Sequence, residues 1–157
     1  MGDCKPIKRE SDLSPYVVKW LSEDGYVHYV EFPCYGGART DIVGFRELDT
    51  RLIAIELKIT LSRTVIKQAA LSQTWANAAY VAVATKPRQR GVDYCRKLGI
   101  GVLSCVTGMV RPILMPGLPE LCFAPAKRRA LELIRIMEPG GVGGLVAQEF
   151  WGTSDET

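Results

Sequence analysis

The hydrophobic positions of this chain change their spacing several times, from the period of a helix to the period of a strand. Near the beginning, a helix is predicted over residues 11 to 25, with one apolar stripe formed by Leu13, Tyr16, Val17, Trp20 and Leu21. Runs rich in apolar, β-branched and aromatic residues then predict strands at residues 26 to 32, 38 to 45, 51 to 60 and 79 to 85.

The remaining patterns place helices between and after these strands. Helical spacing predicts helices over residues 62 to 78, 88 to 99 and 126 to 138. Residues 100 to 106 and 109 to 115 are typical of a β-hairpin, and Pro112 indicates that its second strand lies at an edge. The order α-β-β-β-α-β-α-β-β-α predicts an α/β fold, with a mixed β-sheet flanked by helices.

The length of 157 residues suits one domain. We assign residues 1 to 118 to a core, and residues 119 to 157 to a helix, a Gly-rich hinge and a polar tail appended to the same domain. The five cysteines form no CxxC pair, so we expect reduced thiols and no zinc site or disulfide framework. The chain shows no signal-peptide pattern and no run long enough to cross a bilayer, so we expect a cytoplasmic protein without a membrane partner.

Charge narrows the choice of partner only slightly. The net charge of +3 permits an acidic partner without requiring one. Cations concentrate at residues 86 to 97 and 126 to 135, where they either dock phosphates or form solvated helix faces. The GGVGG segment at residues 140 to 144 lacks the Lys-Ser/Thr of a phosphate loop, so we expect no nucleotide cofactor.

Three charged residues interrupt apolar strands and raise the question of a site. Glu56 and Lys58 are two residues apart in one strand, so their side chains emerge on the same face. If the second and third strands form a hairpin, Asp41 lies beside Glu56, and two carboxylates at that separation repel unless a cation lies between them. A metal there would activate water and neutralise a phosphate oxygen, while Lys58 assists the water or stabilises the developing charge. The alternative is an exposed cross-strand ion pair.

These motifs, in their order along the chain, resemble those of the PD-(D/E)XK nuclease superfamily. This superfamily includes type II restriction enzymes and archaeal Holliday-junction resolvases. The segment TDIVGF supplies Asp41, IAIELK supplies Glu56 and Lys58, and VIKQA supplies Gln68 on the next helix. The resemblance covers roughly residues 10 to 115, and the proline of the family name is replaced by Thr40.

The resemblance implies a restriction-endonuclease-like fold with an α-β-β-β-α-β-α-β core and a role for each motif residue. Asp41 and Glu56 would bind Mg²⁺, with Mn²⁺ as a substitute, Lys58 would be the catalytic lysine, and Gln68 would be an accessory catalytic residue. Members of this family often add an acidic residue from the first helix. Glu10 is our preferred third metal ligand, and Asp12 and Glu31 are the alternatives.

Other basic residues are candidates for nucleic-acid binding. Arg39 lies two residues before Asp41, where it either meets a phosphate or serves as the counter-ion of Asp41. Arg63 and Lys67 flank Gln68 and would line a nucleic-acid channel, although solvated helix charges are the alternative.

Together these features predict a Mg²⁺-dependent endonuclease that hydrolyses DNA phosphodiester bonds. We expect a structure-selective or accessory nuclease, because no separate specificity domain is apparent; junction resolution is one possibility and other DNA processing is another. We also expect a homodimer, because one small chain does not span a duplex symmetrically. One alternative is a nucleic-acid-binding or assembly module that keeps the fold but does not cut. Another is an enzyme acting on a small phosphate ester in a closed apolar pocket.

Overall fold

A computed structural model describes residues 6–34, 38–106, 108–117 and 123–140 and contains a six-stranded mixed sheet. The strands are β1 (Val27–Pro33), β2 (Arg39–Arg46), β3 (Arg51–Lys58), β4 (Ala78–Val83), β5 (Gly101–Ser104) and β6 (Arg111–Leu114). They lie in the sheet in the order β1 to β6. The β1–β2, β2–β3 and β5–β6 pairs are antiparallel, whereas β3–β4 and β4–β5 are parallel.

Helices join and cover these strands. Within the described ranges the α-helices are α1 (Ser14–Glu23), α2 (Arg63–Leu71), α3 (Gln89–Leu98) and α4 (Ala124–Ile136). Because parallel neighbours need a connection that returns to the same end of the sheet, α2 joins β3 to β4 and α3 joins β4 to β5. Short 3₁₀ turns occur at Glu10–Leu13, Glu47–Asp49 and Ser72–Thr74.

Side chains of β3 alternate between two apolar layers, one on each face of the sheet. On one face Ile55 and Leu57 pack with Leu13, which precedes α1, and with Val17, which belongs to α1. On the other face Ala54 packs with residues of α4, while β4 and β5 pack against α2 and α3. This alternation has the two-residue period that the sequence shows. The apolar packing on both faces holds the ends of β2 and β3 in a fixed position.

The structure confirms the α/β class and the mixed sheet flanked by helices expected from the sequence. It also confirms the hairpin of β5 and β6 and the position of Pro112 on an edge strand. Thr107 in the turn of this hairpin and the Gly-rich and polar segment after residue 140 lie outside the described residues.

The predicted helix over residues 62 to 78 is wrong in its length. α2 ends at Leu71, and the chain tightens into the 3₁₀ turn that precedes Trp75. β4 begins at Ala78, directly after Asn77, whose side chain accepts a 2.9 Å hydrogen bond from the Leu52 amide of β3. Trp75 packs in the core, stacked on Phe32 with ring centroids 5.5 Å apart.

No α-helix within the described ranges combines the length and the apolar character needed to cross a membrane.

Candidate functional site

Asp41 of β2 and Glu56 of β3 lie where these two strands stop pairing. The antiparallel ladder ends at Ile42 and Ile55, one residue before this pair would face each other. Beyond the ladder, the Leu57 amide donates a 2.7 Å hydrogen bond to Oδ2 of Asp41. A carboxylate thus satisfies a backbone donor where the ladder has ended, and this bond fixes the side chain of Asp41 against β3.

The carboxyl group of Glu56 lies in an environment that disfavours its charge. Glu56 is only 7% exposed. Burial, the charge of Asp41 and a hydrogen bond between the two carboxyl groups together raise the pKa of Glu56 to about 8, although Lys58 acts in the opposite direction. Asp41 and Glu56 therefore form a pair of acids that is stable when a proton or a cation lies between them.

Lys58 brings a third carboxylate toward this pair. It follows Glu56 by two residues in β3, and its Nζ lies 3.3 Å from both carboxylate oxygens of Glu10. Glu10 begins the 3₁₀ turn that leads into α1. Both side chains remain accessible, with 34% of Lys58 and 47% of Glu10 exposed, so the ammonium group can still meet a ligand.

The two alternative acidic residues have other partners. The carboxylate of Asp12 accepts hydrogen bonds from the backbone amides of Lys8 and Arg9, both at 2.9 Å, and these bonds lower the pKa of Asp12. Glu31 pairs with Arg39 at 3.6 Å and adopts a φ of 48°, a left-handed backbone that non-glycine residues rarely adopt. The ion pair of Arg39 is therefore with Glu31 and not with Asp41, the counter-ion considered from the sequence.

The predicted residues of α2 lie on its exposed side. Gln68 and Lys67 are exposed, and neither side chain forms a hydrogen bond or ion pair with another described residue. Arg63 is exposed as well, and its guanidinium lies 5.4 Å from the centre of the Tyr94 ring. The structure thus places these three side chains on the helix that follows β3, without joining Gln68 to the acidic pair.

Sequence reasoning missed a buried chain of hydroxyl and thiol groups next to Asp41. The hydroxyl of Thr40 lies 3.4 Å from that of Ser72 and 3.3 Å from the thiol of Cys34. Burial raises the pKa of Cys34, and the nearby charge of Glu56 raises it further. Thr40 therefore ties β2 to the turn after α2 at the residue preceding Asp41. The position of Thr40 beside the motif is visible in the sequence, but its partner 32 residues away is not.

An apolar cavity of about 290 Å³ lies beyond this chain of polar groups. It is lined by Phe32, Pro33, Cys34, Thr74, Trp75, Ala126 and Ala130. Asp41, Glu56 and Lys58 are not among these residues, so the cavity is not the closed pocket around the acidic pair that a small-molecule phosphate enzyme would need.

The two carboxylates of Asp41 and Glu56 are enough to hold a divalent cation. Among the described residues no group of three or more His, Cys, Asp or Glu side chains is arranged to hold a metal ion. Mg²⁺ in proteins is commonly held by one or two carboxylates, with waters and substrate phosphates completing its octahedron. Asp41 and Glu56 provide those two carboxylates, and the repulsion between them is what a cation would relieve.

Comparisons with known proteins show a similarity of fold but do not assign an activity to this chain. No family model and no curated protein matches this chain. The structure is similar to that of a protein of unknown function from Silicibacter pomeroyi, with a TM-score of 0.54 and 21% identity over 83% of this chain and 84% of that one. A repair endonuclease from Pyrococcus abyssi matches with a TM-score of 0.49 and 15% identity over 72% of this chain, and the match spans 50% of that endonuclease chain. At these values the similarities concern the fold alone.

Proposed function

We propose that this protein is a Mg²⁺- or Mn²⁺-dependent nuclease that hydrolyses DNA phosphodiester bonds. The observation that carries the proposal is the meeting of Asp41 and Glu56 at the open end of the β2–β3 pair, with Lys58 beside them. Structural ion pairs place opposite charges together, whereas here two acids face each other on rigid strands. An arrangement of this kind favours the binding of a cation together with a negatively charged substrate.

Each residue of this site has a separate task in the proposed reaction. Asp41 and Glu56 would hold the metal ion, and when bound, the ion neutralises both carboxylates and part of the charge on a phosphate oxygen. Lys58 donates a hydrogen bond to the attacking water or to the phosphate oxygen on which negative charge develops. Glu10, our preferred third metal ligand, also contacts the Lys58 ammonium at 3.3 Å. Gln68 and Arg39 remain candidates for contacts with the substrate.

The accessible charged groups beside the acidic pair support a polymeric substrate. The β2–β3 ladder ends at the two carboxylates, Lys58 and Glu10 are 34% and 47% exposed, and the apolar cavity is lined by other residues. An open site suits a polymer better than an enclosed small molecule. Since one such site cuts one strand, cleavage of both strands of a duplex would require a second copy, and we propose a homodimer for that reason.

The experiment that tests the proposal is cleavage of labelled single-stranded, duplex, flap and four-way-junction DNA in Mg²⁺, Mn²⁺ or EDTA. The wild-type protein is compared with Lys58→Ala, which removes the ammonium but leaves both carboxylates. Lys97→Ala is the matched control, because Lys97 is a lysine in the last turn of α3, away from the acidic pair. We expect metal-dependent cutting that Lys58→Ala abolishes and Lys97→Ala retains.

Binding of DNA without cutting in either metal would support the assembly-module alternative instead. Cutting that persists in EDTA or in Lys58→Ala would contradict the roles assigned here. Preference for the four-way junction or the flap would establish the structure-selective class, and equal cutting of all substrates would reject it.

A further inference from the structure

A cluster of cations lies on the segment that follows β4, at the end of the sheet where β3 also ends. Its members are Lys86, Arg88 and Arg90, which we call the cationic arm. All three side chains are exposed, and none forms an ion pair with another described residue. Arg88 has an extended backbone, with φ −73° and ψ 145°, and α3 begins directly after it. The arm therefore combines exposure with an excess of positive charge.

The main chain anchors this segment to the end of β3. Lys58 pairs with Val83 in the parallel β3–β4 ladder, so both strands end at the same edge of the sheet. One residue beyond Lys58, the carbonyl oxygen of Ile59 accepts three hydrogen bonds. The donors are the amides of Ala84 and Thr85, at 3.2 and 3.0 Å, and the hydroxyl of Thr85, at 2.9 Å. The arm thus starts from a fixed point close to Lys58.

A second contact fixes the far end of the arm. A Cβ atom built at Gly91, in the first turn of α3, would lie 2.9 Å from Cδ2 of Leu61. Leu61 belongs to the connection between β3 and α2, so the start of α3 packs directly on the chain that leaves the acidic pair. Glycine at residue 91 permits this close approach. Both ends of the arm are therefore held against residues 59 to 61.

Among the described residues, the carboxylates near the arm have other partners. Asp93, in the first half of α3, pairs with Arg96 at 2.9 Å and accepts a hydrogen bond from Gln89. Glu10 pairs with Lys58. The charge of the arm is thus available to an external polyanion.

We propose that Lys86, Arg88 and Arg90 bind the phosphate backbone of the nucleic-acid strand on which the acidic pair acts. This inference rests on the proposed nuclease function and assigns it a docking surface outside the candidate residues Arg39, Arg63 and Lys67. Arginine and lysine neutralise successive phosphates and release condensed counterions, so such a surface makes binding strongly dependent on salt. Contacts of this kind set position and carry no base sequence. The arm therefore fits a nuclease that reads the structure of its substrate.

The test measures binding of labelled single-stranded and duplex DNA in EDTA, across a series of salt concentrations, by fluorescence anisotropy. EDTA prevents cutting, so binding is read independently of catalysis. The arm variant is Lys86→Gln/Arg88→Gln/Arg90→Gln. Its matched control is Lys19→Gln/Lys97→Gln/Arg135→Gln, which removes the same charge from α1, α3 and α4.

The control residues lie toward the opposite ends of the strands. Lys97 is in the last turn of α3, which precedes the beginning of β5. Arg135 is in the last turn of α4, shortly before Gly140, whose amide donates a hydrogen bond to the His28 carbonyl oxygen near the beginning of β1. Lys19 lies in the half of α1 whose Leu21 packs on Gly44, near the beginning of β3. A weakening confined to the arm variant thus reports position and not net charge.

We expect the arm variant to bind DNA at least about tenfold more weakly at low salt, and its salt slope to fall by roughly 0.7–0.9 for each phosphate that it no longer neutralises. The control should keep the wild-type slope. Thermal unfolding of both variants checks that they fold. If the triple variant does not fold, the single variant Arg88→Glu provides the same comparison. An unchanged slope in the arm variant, or an equal weakening in the control, would overturn the proposal.

The arm and the nuclease function can fail separately. Metal-dependent cutting with affinity unaffected by the arm variant would reject the arm and keep the function. Arm-dependent binding without cutting would keep the arm and reject the function. Vesicles containing phosphatidylserine are tested in parallel, and arm-dependent binding to vesicles without binding to DNA would also overturn the proposal.

Discussion

The two ends of the β2–β3 hairpin differ in how their charged side chains are paired. At the end where the chain turns, Arg46 donates hydrogen bonds of 3.0 and 2.8 Å to Asp49 and pairs with Asp24 at 3.1 Å. Its guanidinium also lies 4.7 Å from the centre of the Tyr26 ring. Arg46 thus joins partners of opposite sign and an aromatic face at this end.

At the open end, Asp41 and Glu56 bring two acidic groups together. The directions of the pKa shifts show the difference. The hydrogen bond from Arg46 lowers the pKa of Asp49, so its charged form is favoured, whereas burial and Asp41 raise the pKa of Glu56 to about 8. One end uses charge to stabilise the hairpin, and the other keeps an unfavourable pair that a ligand would relieve.

The largest contrast is expected in catalysis, where equivalent amide substitutions at the two ends should behave differently. Asp41→Asn and Glu56→Gln each replace a proposed metal ligand with a group of similar size. We expect cleavage of the preferred DNA substrate to fall by roughly 10²–10⁴-fold in each variant. Asp49→Asn, at the paired end, should leave the rate unchanged. Single-turnover rates in Mg²⁺ measure this contrast, and equal reductions at the two ends would erase it.

The next contrast concerns stability against pH. The folded-state pKa of Glu56, about 8, lies above its ordinary value of 4.5. Below the lower value both states are protonated, and between the two values only the unfolded state releases the proton. The free energy of unfolding contributed by Glu56 is therefore fully present at low pH and falls as the pH rises toward 8.

Glu56→Gln removes this pH dependence. We expect the variant to be more stable than the wild type by roughly 2–4 kcal/mol at about pH 8 without metal, and by much less at about pH 5. Urea unfolding in EDTA at several pH values gives the comparison. Asp49→Asn acts with the opposite sign, because the lowered pKa of Asp49 gives stability that is lost only as the pH falls below the ordinary range of an aspartate. Parallel pH curves for wild type and Glu56→Gln would contradict the assigned shift.

A smaller effect is expected from the hydroxyl chain behind the open end. Thr40→Val keeps the shape of the side chain but removes its contacts with Ser72 and Cys34. Since Asp41 is the next residue, we expect roughly 3–10-fold weaker Mn²⁺ binding and slower cleavage, with the folded state retained. Thr40→Ser, which restores the hydroxyl, should recover the Mn²⁺ affinity. Isothermal titration of Mn²⁺ separates this positioning role from a packing defect, which the serine variant would not rescue.

The smallest effect is expected at the paired end itself. Arg46→Met removes both ion pairs and the contact with Tyr26 but keeps an apolar stem. Since such pairs are largely solvated, we expect Tm to fall by about 2–4 °C, less at high salt, and cleavage to stay unchanged. Melting curves at low and high salt check the size and its screening. A large reduction of activity in Arg46→Met would mean that the two ends are coupled.

The sequence predicted the parts of the fold that depend on local pattern. Alternation in β3 separates Ile55 and Leu57 from Glu56, and the structure places both of these apolar side chains in one layer. The length of the helix after β3 was not predictable in this way. The segment after this helix is held by a bond between Asn77 and Leu52, which lie 25 residues apart and share no local pattern.

The residues of the site likewise divide into those that the local sequence pattern reveals and those that only the packing brings together. Asp41, Glu56 and Lys58 are visible as charges within apolar strands, because burial of a charge is costly and unusual. The contact between Lys58 and Glu10 joins residues 48 apart, and the contact between Thr40 and Ser72 joins residues 32 apart. Neither has a local pattern, since both arise from the packing of separate elements against the end of the sheet. The hydrogen bond from the Leu57 amide to Asp41 depends on where the ladder stops, which no spacing rule provides.

Pro112 in the edge strand β6 has a consequence for behaviour at high concentration. Exposed Met109, Ile113 and Met115 accompany this strand, and an apolar edge with a full row of amides is a template for joining the sheets of different molecules. Proline is tolerated on edge strands because the N–H that it lacks would face solvent. β6 therefore carries one backbone donor fewer than a strand without proline, and we expect this gap to disfavour the growth of aggregates.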